Sequence, residues 1–281
     1  MKKTLFFLCL VGFLAVGTAL AAAINAPVKA HAFYCAEDGV MLASENSNVR
    51  VAPASLTKLL TACTALNYIE PDTVFTVGSE RELVPAHSSL CLILEGHSLK
   101  LRDLLAGMLM ASGNDAAYTV AVNTVREITG LFVSDAECVK YFTDMMNKLA
   151  QTIGMCDSNF TTPDGSDSPD QYTTLSDLIK LSEYAMTFSV LREIMAEHEK
   201  YVVFETGENI TWTNSNKLLD PDSRYYSENA VGIKTGTTEK AGNCLIAAFR
   251  KNEKTYISIV AGCFTDNERY RLTLKLYHEN T

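Results

Sequence analysis

The chain is short of the residues that usually announce a metal or a nucleotide. Its five histidines, His31, His87, His97, His198 and His278, are scattered over 281 residues, with no His-x-His or His-Glu-x-x-His among them. The eight cysteines contain no Cys-x-x-Cys pair, so no zinc site is expected. There is no Gly-rich phosphate loop, which removes dinucleotide and P-loop chemistry, and no Gly-x-Ser-x-Gly elbow, which removes the common Ser-His-Asp hydrolases. Low-complexity tracts and internal repeats are also missing. A net charge of −9 and a pI near 5.1 leave no basic footprint for nucleic acid. What remains is a chain 47% hydrophobic and 20% charged, ordinary globular composition, with no cofactor implied.

The N-terminus departs from that average. "MKK" precedes "TLFFLCLVGFLAVGTALAAAINAPV", which carries no charge from Thr4 to Val28. A basic start, an apolar run and small-residue sites at 19–21 and 30–32 read as an export signal over residues 1–32, with an uncleaved membrane anchor as the competitor. The protein is expected outside the cytoplasm. Setting Cys9 aside leaves seven cysteines, an odd number; most sit in apolar patterns and read as core, with a disulfide possible.

"AFYCAEDGVMLAS" (32–44) reads as two strands around an Asp-Gly turn. A helix is expected from Ser55, announced by Pro53, and the section from about 59 to 215 carries helical patterns such as "LRDLLAGMLMA" and "KYFTDMMNKLAQTIG". Within it "SNFTTPDGSDSPDQYTT" is rich in turn residues and long enough to be a functional loop. Strands return at "AVGIKTGT", "NCLIAAFRK" and "KTYISIVAGCF", and "NERYRLTLKLYHE" closes the chain as a helix. The expected fold is therefore mixed α/β (α+β): one sheet built from both chain ends, flanked by helices, with a helical subdomain inserted at about 70–215.

Three short stretches could carry chemistry. In "PASLTKLL", Ser55 and Lys58 are i and i+3, neighbours on one helix face. A serine hydroxyl is a weak nucleophile until something takes its proton, and without histidine a lysine can do so only when neutral. At the ordinary pKa of about 10.4 roughly 1 lysine in 2,500 is neutral at pH 7, so this pairing needs burial or a second cation nearby. "GIKTGTT" offers Lys234 with Thr235, Gly236 and Thr237 in a strand, a lysine and hydroxyl suited to a carboxylate, where the plainer account is a lysine guarding a sheet edge. "MASGNDAA" places Ser112 and Asn114 on a connector between helices, where an exposed polar triplet has little other reason to exist. Ser-x-Asn recurs at 44–46 and 227–229, but there in turn-like stretches. Ser-x-x-Lys and Lys-Thr-Gly each occur once, in the order Ser55, Ser112, Lys234.

With that triple, and with "SSLCLILEGHSLKLRDLLAGMLMASGNDAA", "WTNSNKLL" and "VGIKTGTTEKAGNCLIAAF" in the same order, the chain resembles the D-alanyl-D-alanine carboxypeptidases. These are low-molecular-mass penicillin-binding proteins of the β-lactamase/DD-peptidase superfamily, and the likeness covers roughly residues 33–265. It implies a catalytic domain over 33–281 that removes the terminal D-alanine of peptidoglycan stem peptides through an acyl-enzyme and is acylated by β-lactam antibiotics. It further implies Ser55 as nucleophile, Lys58 as general base, its protonated form disfavoured by Lys234 and by the helix N-terminus, and Ser112 as proton relay. Asn114 would hold the substrate peptide, Lys234 and Thr235 the terminal carboxylate beside Gly236, and the backbone N–H groups of Ser55 and Thr237 the oxyanion. Membrane contact is expected only through the N-terminal segment.

The chain departs from the pattern at Asp164 and Gln171, where relatives often carry histidine, and at Val231, where an acidic residue is common. It stops soon after the closing helix, so the β-rich domain and anchoring helix of many relatives are expected to be absent. Rival readings are a β-lactamase, a penicillin sensor or wall-binding module, and an esterase or transpeptidase using the same triple. No Glu-x-x-Leu-Asn loop supports the first of these.

Overall fold

The computed structural model describes residues 29–130 and 133–281; the expected export segment falls almost wholly outside them. β1 (Ala30–Cys35) and β2 (Val40–Glu45) form the expected hairpin. β3 (Val74–Thr76) and β4 (Ser98–Lys100) pair with each other, as do β5 (Glu199–Val203) and β6 (Asn209–Thr213). β7 (Ala230–Thr238), β8 (Gly242–Lys251) and β9 (Lys254–Cys263) complete an antiparallel sheet in the order β2-β1-β9-β8-β7. The first and last strands in sequence are thus neighbours at its centre, and β7 is an edge. Asn252 and Glu253, both at positive φ, make the two-residue β8–β9 turn, whose backbone matches the strand twist.

Alternation along β8 divides the core. Leu245, Ala247 and Phe249 face α7 (Asp266–Asn280) with Tyr270 and Tyr277, whereas Ile246 and Ala248 face the body of helices. That body is α1 (Thr57–Leu66), α2 (Leu101–Leu109), α3 (Asn114–Thr129), α4 (Asp135–Thr152), α5 (Leu175–Ala185) and α6 (Ser189–Ala196). Nine of the ten α1 residues are buried, as expected of a helix enclosed on all sides. Burying each large apolar side chain contributes about 1.5–3 kcal/mol. Gly130 at φ 63° ends α3, and a Ser134–Glu137 capping box starts α4.

Two details differ from the expectation. The section read as helical also holds the β3–β4 and β5–β6 hairpins. "YVV" and "ITWT" alternate exposed and buried residues, Tyr201 and Val203 out, Val202 and Trp212 in, a period of two that the helical reading passed over. Ser55 lies in a 3₁₀ turn (Ala54–Leu56), one step before the α-helix proper.

All seven described cysteines are free thiols: six are buried and only Cys156 is exposed. Brief alkylation of the native protein followed by peptide mapping is expected to label Cys156 and to leave Cys35, Cys63, Cys91, Cys138, Cys244 and Cys263 unmodified.

Candidate active site

The chain enters the site from an isolated bridge between Val51 and Thr173, passes Pro53 and turns at Ala54, which adopts φ 49°. Two glycines grip this turn from opposite sides. A Cβ on Gly236 of β7 would stand 3.2 Å from Ser55 N and from Ala54 Cβ; a Cβ on Gly165 would stand 1.8 Å from Ala54 O. Edge strand, turn and loop are therefore in backbone contact, closer than any side chain allows.

Lys58 points back from the first turn of α1 and is fully buried. Its Nζ lies 2.8 Å from Ser55 Oγ, 2.7 Å from Asn114 Oδ1 and 2.8 Å from Asp164 O. Burial draws its pKa down to about 8, against the opposing pull of Asp164 and then Asp115. Of the causes the sequence offered, burial, Lys234 and the helix N-terminus, the largest is burial.

Ser112 sits at φ 61° on the connector between α2 and α3, and Asn114 opens α3. Both are buried rather than exposed, and among the described residues no hydrogen bond joins Ser112 to Lys58 or Lys234. Lys234 is 1% exposed, so it does not guard the sheet edge. Its Nζ donates to Thr235 O at 3.1 Å, and burial, then Lys58 and Arg269, push its pKa well below the usual lysine range. Thr235 Oγ1 shares a 2.6 Å hydrogen bond with Ser215 Oγ. Thr237 Oγ1 donates to Gly236 O at 2.8 Å.

The supports were mostly hidden from sequence reasoning. Arg269 of α7 reaches through the sheet and donates to Gly236 O (3.1 Å), Thr237 Oγ1 (3.2 Å) and Cys244 O (3.1 Å), holding the end of β7. Ser215 ties Thr235 to the α2 end, its N–H donating to Met110 O at 2.9 Å. Asp115 accepts from the N–H groups of Cys91 (2.9 Å) and Ile93 (3.2 Å), and Trp212 Nε1 donates to Cys91 O at 2.8 Å. These bonds strap segment 85–94 across the site. "WTNSNKLL" and "GND" were visible as motif-like stretches containing Trp212, Ser215 and Asp115; nothing local marks Arg269. Gln171 staples the central loop: its Oε1 accepts from Thr161 N and Thr162 N, both 2.9 Å, and its Nε2 donates to Ser166 O at 2.8 Å.

The resulting cleft, about 240 Å³, is lined by Ser55, Asn114 and Thr237, by the loop at 164–167 and by the strap at 85–89. Lys58, Lys234 and Thr235 lie buried around it. Among the described residues no group of three His, Cys, Asp or Glu is placed to hold a metal ion.

The profile of the D-alanyl-D-alanine carboxypeptidase family matches residues 23–265. The chain belongs to that family. The carboxypeptidase DacF of Bacillus subtilis is 27% identical over 243 residues, covering 85% of this chain and 58% of the relative. DacC of Escherichia coli is 31% identical over 278 residues, covering 94% and 65%. The crystal structure of the Streptomyces K15 DD-transpeptidase superposes with a TM-score of 0.80 at 27% identity, over 90% of this chain and 96% of that one. This family member thus spans about three-fifths of the length of the two carboxypeptidases, and its sheet from both chain ends is the β-lactamase/DD-peptidase architecture expected above.

Proposed function

We propose that this chain is a serine-type D-Ala-D-Ala carboxypeptidase acting on peptidoglycan stem peptides outside the cytoplasm. The observation that carries the reading is the valence of Lys58. A neutral amine has two N–H bonds and one lone pair. Asn114 Oδ1 and Asp164 O accept the two N–H bonds, so the lone pair faces Ser55 Oγ–H. At a pKa of about 8, about one Lys58 in ten is neutral at pH 7, against roughly 1 in 2,500 for an ordinary lysine.

Ser55 Oγ attacks the carbonyl between the two terminal D-alanines and its proton passes to Lys58. The oxyanion is held by the N–H groups of Ser55 and Thr237, each donor supplying about 10²–10³ in rate. The close approach at Gly236 brings those groups together. Ser112 relays the proton to the departing nitrogen, the C–N bond breaks, D-alanine leaves, and water cleaves the ester. Lys234, a buried amine whose only protein acceptor among the described residues is a backbone carbonyl, takes the substrate's free carboxylate with Thr235, and the negative charge of that carboxylate favours its protonated form. Asn114 holds the peptide. β-Lactams enter by the same attack and stay as esters. The catalytic domain runs over 33–281 with its helical part at about 70–215, and residues 1–32 direct export.

Activity requires neutral Lys58, so kcat/KM for acylation is expected to fall as pH drops through about 8 and to level off above it. A stopped-flow pH profile checks both midpoint and sign.

The deciding experiment gives the purified protein a peptide ending in D-Ala-D-Ala and, separately, penicillin followed by intact mass. Release of D-alanine with one long-lived penicillin adduct supports the reading. Penicillin hydrolysed within seconds points to a β-lactamase, and no adduct sinks the mechanism. The near-complete coverage of a DD-transpeptidase favours one second reading, transfer of the acyl group to an amine; adding an acceptor peptide reports it as a new product.

A further inference from the structure

Asp164 touches the site twice. Its backbone carbonyl accepts from Lys58 Nζ at 2.8 Å, and its carboxylate Oδ2 accepts from Asn114 Nδ2 at 2.6 Å. The side chain is 1% exposed. It is held by the Ser166 hydroxyl on Oδ2 and by Ser166 N on Oδ1 at 3.1 Å, in the loop stapled by Gln171.

We propose that the Asp164 carboxylate is a positioning residue: it sets which end of the Asn114 amide faces Lys58, and thereby aims the Lys58 lone pair at Ser55. This inference rests on the Ser55–Lys58 reading above.

An asparagine amide can turn over with almost no change of shape, exchanging its oxygen for its nitrogen. A carboxylate accepts only, so the Asn114 atom facing Asp164 must be nitrogen, and the atom facing Lys58 must then be oxygen. With the amide reversed, an Asn114 N–H would point at Lys58 and compete with Ser55 for its lone pair. The charge of the carboxylate strengthens the bond that decides between the two. Neither the Lys58–Ser55 spacing nor the Ser-x-Asn stretch specifies the orientation; a residue 50 positions beyond Asn114 does.

Removing the charge also moves Lys58. The groups facing Lys58 are Asp164, Asp115 beside Asn114, the Cys91 thiol on the strap, and Lys234 from β7. Tyr118 of α3 faces Asp164 and stays neutral, its phenol pushed up first by burial and then by Asp164. Cys91 also stays neutral, raised by burial and Asp115. Asp164 is therefore one of two carboxylates holding the Lys58 pKa up.

The test compares Asp164→Asn with Asp164→Ala, following acylation by a chromogenic β-lactam against pH. Asparagine keeps the shape but can offer its NH₂ to Asn114 and so stabilise the reversed amide. The plateau rate of Asp164→Asn is expected to fall on the order of 10²-fold, with KM little changed. Asp164→Ala, which leaves Asn114 free to adopt either orientation, is expected to lose less. In both, the acid limb is expected at lower pH than in the wild type. A side chain that only fills space predicts the opposite order, asparagine better than alanine, with an unmoved limb; that result overturns the proposal. Should neither variant fold, neutron diffraction of the wild type decides: deuterium on the Asn114 atom facing Asp164 supports the proposal, and deuterium on the atom facing Lys58 overturns it. A wild type that penicillin never acylates defeats the Ser55 reading itself, whereas a reactive wild type with unaltered Asp164 variants defeats only this step.

Discussion

Ser55→Ala is expected to abolish the penicillin adduct and to reduce D-alanine release on the order of 10⁶-fold, about 8 kcal/mol of barrier. Lys58→Arg keeps a buried cation at the same place but one that cannot lose its proton, and is expected to cost about 10²–10⁴. On the proposed mechanism the serine reacts only through its partner, so the two losses should not multiply. The double variant is expected to be no slower than Ser55→Ala alone. Intact-mass acylation and D-alanine release, measured on the three variants side by side, check this. An adduct surviving in Ser55→Ala would place the nucleophile elsewhere. Full activity in Lys58→Arg would mean that the 2.8 Å contact between Lys58 Nζ and Ser55 Oγ carries no proton.

The second large effect is expected at a residue with no side chain to take part in the reaction. Gly165 has φ +90°, and a Cβ there would meet Ala54 O at 1.8 Å and Ala54 C at 2.4 Å, so Gly165→Ala cannot be absorbed by a side-chain rotation. Either the central loop or the Ser55 turn must retreat by more than an ångström. A retreating loop carries Asp164 away from Lys58 and Asn114; a retreating turn carries Ser55 away from Gly236. Left-handed strain alone costs about 1–3 kcal/mol, and with the clash a Tm loss of roughly 5–10 °C is expected at about 2–4 °C per kcal/mol. Acylation is expected to slow on the order of 10²-fold, the usual result of an ångström of misplacement. Gly207→Ala separates strain from clash. Its φ is +102°, but nothing lies within 4 Å of the added Cβ, so it should lose stability while acylating at the wild-type rate. Equal kinetic losses in the two variants would show that the contact with Ala54 is not what matters.

What could be read from the chain was local or periodic. The i, i+3 spacing placed Lys58 beside Ser55, and the structure puts the two atoms at hydrogen-bond distance. The Asp-Gly turn marked the β1–β2 hairpin, and the three apolar stretches near the C-terminus were read as the strands that β7 to β9 form. The β5–β6 hairpin was legible in principle, but its alternating residues were absorbed into a long helical pattern. The burial of Ser112 and Asn114 was not legible, because a polar triplet between two apolar helices looks the same whether the strap at 85–94 covers it or water does.

Sequence alone therefore determined that the chain carries a serine paired with a lysine at the start of a helix, a Lys-Thr-Gly edge strand, and a sheet drawn from both of its ends. These follow from backbone periodicity and from neighbours within a few residues. Only the tertiary structure decided that Lys58 is fully buried, which is what draws its pKa down, and that Asp164, 106 residues away, closes its hydrogen-bond shell through a backbone carbonyl. The same holds for Arg269 beneath Gly236 and for Ser215 against Thr235. Desolvation and long-range hydrogen bonding depend on which distant segments share a volume, and no local pattern of residues encodes that.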